Sequence, residues 1–445
     1  MDRRTLVGIM GLALVARIMA AAAIAPSTES LIASAHHEHA SIAKNLAEGR
    51  GFRFNFFGDI DEPDLTSQQA PFVPALLAAA YSAFGVETSA ALWSVVIIQI
   101  LGGAIGCAAL ADSARTWTRD QRVAIAAGAV AALYPPFVVA SLHIQALPWN
   151  LLWMALLFAG SGRMGLRERG GASIFVVGSS GGLYTDPILA VVVGTLLFIV
   201  ALPRGQWRRC LGVGALIALS VSPWIARNYQ VHGRFEFIKN SFPYVFWQGN
   251  TLLSAGTDKL LVEDSDRQRV RSAGLATIAG ELDGARKRSR SINDVALTER
   301  DLIELAALPD ETARMDWFGK RIRAELLAHP WHYPRMCLVR LRQWVWFDET
   351  NPKSVALPYR VSYLIFAAGA AAGIAMSWRR VWPYLSAGIA LTLVHVVVIT
   401  SARFRIGFEL TLVPAFCQGA FSALPLLRGM FAIRPRTAKG HALAQ

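Results

Sequence analysis

The sequence predicts an all-α integral membrane protein, and three observations carry that reading. Of 445 residues, 54% are hydrophobic and only 17% charged, with a mean hydropathy of +0.38, a balance too apolar for a soluble chain of this length. The apolar residues gather in runs that approach the roughly 20 residues needed to cross a hydrocarbon core. The excess basic charge, 44 Lys and Arg against 31 Asp and Glu or +13, lies largely in short loops between those runs. That pattern belongs to a membrane chain and not to a nucleic-acid binder. Cys107, Cys210, Cys337 and Cys417 are widely spaced and form no CxxC or metal-ligand pattern, which excludes a disulfide scaffold or a zinc finger.

The first run, residues 5–25, follows Asp2-Arg3-Arg4 and contains Arg17; an arginine inside the apolar stretch favours a transmembrane helix over a cleaved signal peptide. Further runs fall at 89–111, 123–141, 146–160, 173–186, 187–203, 210–227, 359–377, 382–400 and 407–427, which gives an expected count of about ten spans. Arg115, Arg119, Arg122, Arg163, Arg167, Arg169, Arg204, Arg208, Arg209, Arg379 and Arg380 mark alternate loops as cytoplasmic. The short turns near 142 and 186 carry no lysine or arginine, so the positive-inside rule predicts both termini in the cytoplasm.

Four regions follow: an N-terminal transmembrane module, 1–228, with a first outer loop at 26–88; an outer stretch at 229–358; C-terminal helices at 359–427; and a tail at 428–445. Within the first outer loop, Ile42, Ala43, Leu46 and Ala47 follow helical spacing over 35–49, and Pro71 to Gly85 is too short to span; both are expected at the membrane surface. Residues 256–325 are rich in charge and predict a helical insert, with helices near 298–307 and 311–328, and an interfacial, Trp-rich stretch follows. Pro135-Pro136 predicts a break in the third span.

Four groups of residues, taken together, resemble the GT-C superfamily of membrane glycosyltransferases, in particular bacterial relatives of protein O-mannosyltransferases and aminoarabinose transferases. They are Ile42-Ala43-Lys44-Asn45-Leu46-Ala47-Glu48-Gly49 with Pro71-Phe72-Val73-Pro74; Leu133-Tyr134-Pro135-Pro136; Pro223-Trp224-Ile225-Ala226-Arg227-Asn228-Tyr229 with Gly249-Asn250; and His329-Pro330 with Trp344 and Ala402-Arg403-Phe404-Arg405. Their order matches the superfamily along nearly the whole chain, apart from the insert. The resemblance implies inverting transfer of a sugar from a polyprenyl phosphate to an acceptor hydroxyl at the outer face of the membrane. Its partners would be the polyprenyl-phosphate-linked sugar and membrane lipid, with no nucleic acid; the acceptor could be a glycan, a lipid or a protein. The Ala-rich, Arg-over-Lys composition points to a bacterial inner membrane with a periplasmic active site.

That chemistry needs a carboxylate to take the acceptor proton and cations to hold the departing phosphate. Arg227, Arg340, Arg342, Arg403 and Arg405 lie at apolar boundaries and are the candidate phosphate ligands, with Asn228 and Asn250 beside them. Arg403 and Arg405 are expected in a short outer turn between the last two spans. The superfamily's aspartate, seven residues before the isoleucine of its IAxNLA pattern, is replaced here by Ala35, and its tyrosine by His39. Glu38 is the nearest carboxylate and becomes the candidate base, with Asp59 and Asp61 as alternatives in the same loop. His36 and His39 share a helical face and could hold a divalent metal ion. Two rival readings stand: a catalytically degenerate GT-C protein that binds polyprenyl phosphate, suggested by Ala35, and a transporter of lipid-linked intermediates, for which Arg17, Asp186 and Glu409 are the charges inside the spans.

Overall fold

The computed structural model describes residues 1–58, 63–202, 205–274 and 277–431; the side chains of 36, 37, 279 and 424–431 are outside the description. Apolar runs become helices throughout. In the first half these are α1 (Arg3–Ile24), α2 (Thr28–Ser34), α3 (His36–Ala47), α4 (Phe72–Phe84), α5 (Ser89–Thr118), α6 (Gln121–Leu133), α7 (Pro135–Ala140), α8 (Ala146–Gly165), α9 (Gly171–Thr185), α10 (Ala190–Ala201) and α11 (Trp207–His232). The outer stretch holds α12 (Phe242–Asn250), α13 (Asp264–Ser272), α14 (Ile278–Arg288), α15 (Asn293–Ala296), α16 (Glu299–Ala307), α17 (Glu311–Ala328) and α18 (His332–Val345). A 3-10 turn, Pro352–Val355, leads into α19 (Leu357–Val397) and α20 (Ala402–Phe431).

The protein is an all-α integral membrane protein. Five helices, α1, α5, α11, α19 and α20, are individually long and apolar enough to cross a bilayer. The other expected spans are helical too, but shorter or broken. The third is α6 plus α7, interrupted at Tyr134 because Pro135 and Pro136 cannot donate to the helix. The expected eighth and ninth spans form the two arms of α19, which kinks at Ser377 (φ −150°, ψ 31°), directly before Arg379 and Arg380.

Arg17 explains how the break at Tyr134 is tolerated in an apolar bundle. Pro136 has no N–H, so the Ala132 carbonyl four residues earlier loses its helical donor. Arg17, 2% exposed, donates from Nη1 to that carbonyl at 3.4 Å and to Ala13 O at 3.2 Å, and from Nε to Ser141 Oγ at 3.1 Å. Its buried charge therefore serves the backbone of a discontinuous helix. At the other end of the chain, α19 and α20 cross so closely that a Cβ on Gly373 would collide with the Ala415 carbonyl, so the small residue sets their separation.

Outside the bundle, α3, α4 and the start of α5 share an apolar core with Leu142 and Ile144 of the turn before α8. The insert has a separate aromatic core built on Tyr244, Trp247, Met315 and Phe318. Phe56 and Phe57 of the first outer loop plug into it, with ring centroids 4.8 Å from Tyr244 and 5.5 Å from Phe318 respectively. The two outer segments thus form one folded cap, joined by roughly 1 kcal/mol or so per aromatic pair beyond simple burial.

Candidate functional site

Two polar seams organise the outer side. The first seam joins the end of α11 to the first outer loop. Arg227 lies between Phe52 and Trp224, 5.5 and 5.0 Å from their ring centroids, and donates to Thr66 O at 2.6 Å, Ser67 Oγ at 3.1 Å and Phe52 O at 3.3 Å. Asn228, fully buried, accepts from Ser67 Oγ at 2.8 Å and donates to Ile238 O at 3.3 Å. Glu311, the first residue of α17, closes the seam: its carboxyl accepts from the Thr66 hydroxyl and from Ser67 N at 2.9 Å, and His232 lies 3.7 Å away.

Burial pushes the Glu311 carboxyl up to about 7, the hydrogen bonds from Thr66 and Ser67 opposing it. A folded-state value above the ordinary 4.5 means that the folded protein holds the proton more tightly than the unfolded chain. Its stabilising contribution is complete below about 4.5 and is lost as pH rises through about 7. The difference amounts to about 3 kcal/mol across that window. Thermal melting of the protein from pH 5 to pH 8 is expected to show the decline, and Glu311→Gln to flatten it; an equally steep decline in Glu311→Gln would remove this carboxyl as its source.

The second seam ties the outer cap to the ends of the C-terminal helices. Arg340 is fully buried and donates to Gly249 O and Val396 O, each at 2.5 Å, and to Val397 O at 3.5 Å. Val396 and Val397 carry carbonyls at the C-terminus of α19, which no helical N–H can reach, so the guanidinium caps the helix. Asn250 donates to Phe246 O at 2.8 Å and Val398 O at 3.1 Å, and a Cβ on Gly249 would collide with Val398 O. Glycine at 249 is a condition of this close crossing.

A further group of polar side chains comes from α3, the turn at 141–145, α12, α14 and the 3-10 turn before α19. Glu38, half-buried on α3, accepts from Gln69 Nε2 at 2.7 Å and lies within charge range of the Tyr244 phenol, whose pKa burial raises. One helical turn earlier, Ser34 Oγ accepts from Ile144 N at 2.9 Å and fixes the turn carrying His143 beside α3. The His143 imidazole is held below its ordinary range, chiefly by burial, with Lys353 and Arg286 adding to the effect. Lys353 is itself brought down to about 8 by burial and by Arg286, with the Glu409 charge opposing them. Ala285 and Leu282 of α14 pack with Val355 and Ala356, which brings α14 beside the turn that carries Lys353. His143, Lys353 and Arg286 are thus close enough to act on one another's charge.

No family model and no curated protein matches the chain. Among solved structures, the chain resembles the archaeal oligosaccharyltransferase AglB from Archaeoglobus fulgidus in complex with an inhibitory peptide and a dolichol-phosphate. The two share 15% identity at a TM-score of 0.50, covering 92% of this chain and 48% of that one. The fold is of the GT-C type. ArnT from Cupriavidus metallidurans bound to undecaprenyl phosphate also matches, at 15% identity and a TM-score of 0.38, over 90% of this chain and 76% of that one. The chain spans about half the length of the oligosaccharyltransferase it matches.

Within this GT-C fold, the sequence-predicted residues separate by location. Arg227, Asn228, Asn250 and Arg340 hold the two seams through hydrogen bonds to protein, and the buried Asn250 Oδ1 has no hydrogen-bond partner among the described residues. Arg403 and Arg405 do not form a turn between spans; Ala402 already begins α20, because Asp348 accepts from Ala402 N at 2.9 Å and caps it. Arg405, 1% exposed, is paired with Glu409 at 3.0 Å inside the bundle. Arg403 stands over the Phe404 ring at 5.0 Å, and Arg342 is exposed and pairs with Glu349. Asp59 and Asp61 lie outside the described residues, as does the His36 side chain; His39 is buried. Among the described residues no three His, Cys, Asp or Glu side chains converge as a metal site.

Sequence reasoning missed Lys353, Arg286 and Glu311. Lys353 follows Asn351-Pro352 directly outside an apolar run, a signal of a capped turn at the boundary. Arg286 belongs to Arg286-Lys287-Arg288, which reads as a solvated helix face; nothing in the sequence says that its neighbour Ala285 is buried.

Proposed function

We propose that this protein is a membrane glycosyltransferase that moves a sugar from a polyprenyl-phosphate donor to an acceptor hydroxyl at the outer face of the membrane. The observation that carries the reading is a carboxylate, Glu38, that accepts from Gln69 in the first outer loop of a chain with a GT-C fold. The neighbour with that fold was solved with a dolichol-phosphate, a polyprenyl phosphate of the proposed donor class. The acceptor oxygen attacks the anomeric carbon as the bond from that carbon to the donor phosphate breaks. The phosphate leaves with the bonding electrons, Glu38 takes the hydroxyl proton, and the configuration inverts. Loop charge supports both termini in the cytoplasm, and the Ala-rich, Arg-over-Lys composition supports a bacterial inner membrane with the outer loops in the periplasm.

The charges inside the spans speak against transport. Arg17 serves a broken helix, Glu409 pairs with Arg405, and Asp186 caps the 3-10 turn at Pro187 and accepts from Asn150 at 3.3 Å. Each is engaged within the packed bundle, whereas a translocation path needs charge facing a substrate. The second reading, a GT-C protein that binds the lipid without transferring sugar, is favoured by Ala35 alone. Purified protein in lipid, given a radiolabelled polyprenyl-phosphate sugar and membrane extract as acceptor, is expected to release polyprenyl phosphate and label an acceptor. Lipid binding without either product would select the second reading.

A further inference from the structure

The bundle has a second polar end, on the side that loop charge assigns to the cytoplasm. There Arg163 pairs with Asp112 at 2.8 Å and Arg115 reaches Glu168 at 3.8 Å, so these cations are matched by carboxylates. Arg167, Arg208 and Arg209 make no ion pair among the described residues, and Glu168, the carboxylate next to Arg167 in sequence, is the one that Arg115 takes. The three meet at an open recess of about 470 Å³, lined by Arg167, Gly205, Gln206, Trp207, Arg208 and Arg209. Two hydrogen bonds between segments fix its shape. Gln206 donates to the Gly165 carbonyl at 3.3 Å, and Arg209 donates from Nη1 to the Met164 carbonyl at 3.3 Å, which seats the start of α11 against the end of α8. Arg167 follows in the turn after α8 and Arg208 lies in the first turn of α11; both are exposed, and Arg208 stands over the Trp207 ring at 5.1 Å. Neither side chain donates a hydrogen bond within the described residues, so both planar forks are open to an incoming anion.

The surface leading away from the recess indicates what kind of anion fits. α11 is long and apolar enough to cross a bilayer, and Trp207, Leu211, Ala215 and Leu219 recur every fourth residue along it, all of them exposed. Tryptophan at the end of a span marks the headgroup level, so the arginines lie where lipid phosphates lie and the stripe below them runs into hydrocarbon. We propose that Arg167, Arg208 and Arg209 form a site for an anionic phospholipid of the cytoplasmic leaflet, its phosphate in the recess and its acyl chains along Leu211, Ala215 and Leu219. Free phosphate would use the recess and leave the stripe idle, and a zwitterionic headgroup would bring its own cation against three guanidinium groups. The lipid bridges the turn after α8 and the start of α11. The site is at the end of the bundle away from the outer cap and Glu38, so it does not rest on the glycosyl-transfer reading.

The test uses the full chain in nanodiscs of phosphatidylcholine with a minor share of phosphatidylglycerol, the lipids retained on the protein being counted by native mass spectrometry. The parent is expected to retain phosphatidylglycerol in preference to phosphatidylcholine. Arg167→Gln combined with Arg208→Gln should lower that retention about tenfold or more, and Arg167→Lys combined with Arg208→Lys should keep most of it. In phosphatidylcholine alone the glutamine pair is expected to melt like the parent, since neither arginine is tied to the protein by a hydrogen bond. The control is Arg379→Gln with Arg380→Gln, which removes the same charge beside another tryptophan, Trp378, outside the recess, and should leave retention unchanged. An equal loss in both pairs would mean a diffuse basic surface and overturn the site, as would parental retention in Arg167→Gln with Arg208→Gln. Displacement of the retained lipid by millimolar glycerol phosphate would overturn the assignment to a lipid, because a headgroup alone would then suffice.

Discussion

Glu38→Gln is expected to lower sugar transfer at least a hundredfold while leaving undecaprenyl phosphate binding intact. The substitution keeps the shape of the side chain and a group that can face Gln69, but removes the carboxylate that could take the proton. A positioned general base contributes about 10² to 10⁴ in rate, so loss in that range identifies the role. The pH profile gives a readout that a structural role would not move: the acidic limb of the rate, set by ionisation of the base, should vanish in the variant. Near-normal turnover would send the search to Asp59 and Asp61 in the same loop. Ala35, at the position of the superfamily's aspartate, gives a second arm to the experiment. Ala35 is fully buried against α2 and α3, so an aspartate placed there would be costly to ionise and is expected not to rescue Glu38→Gln.

The helices were legible in the sequence because apolar length and proline position are local signals. The insert helix at 311–328 occurs where its pattern predicts, and the break at Tyr134 follows from two prolines. The roles of the arginines were not legible, since a boundary arginine that grips a phosphate and one that caps a helix look the same in sequence. Arg340 is decided by three carbonyls contributed from residues 249, 396 and 397, and no spacing rule connects those positions. Lys353 and Arg286 were invisible for a related reason: their proximity depends on how α14 docks on the turn before α19, which no local pattern records. Glu38, by contrast, was reachable from sequence as the nearest carboxylate on the face of Ile42, and the structure adds the Gln69 contact that orients it.

Glu409→Leu should destabilise the bundle by about 3–5 kcal/mol, because it leaves the Arg405 charge buried without its carboxylate. The pair sits at a junction of three parts of the chain. Tyr134, at the break between α6 and α7, donates to Glu409 at 2.9 Å and stacks on Phe366 of α19 at 5.0 Å. Arg405 donates to the Trp346 carbonyl and the Tyr359 hydroxyl, and lies 4.1 Å from the Tyr363 ring centroid. Removing the carboxylate strands the guanidinium and also the Tyr134 hydroxyl, which the apolar wall at Phe137 and Phe366 cannot satisfy. If the uncompensated charge is the main cost, taking it away should repair much of the damage, so Arg405→Met combined with Glu409→Leu is expected to recover at least half of the loss. The remainder reflects the Trp346 carbonyl and the Tyr359 hydroxyl, which the methionine cannot serve. Thermal melting of both variants in nanodiscs measures the difference, and a double variant no more stable than Glu409→Leu would mean that the junction depends on those hydrogen bonds and not on charge pairing.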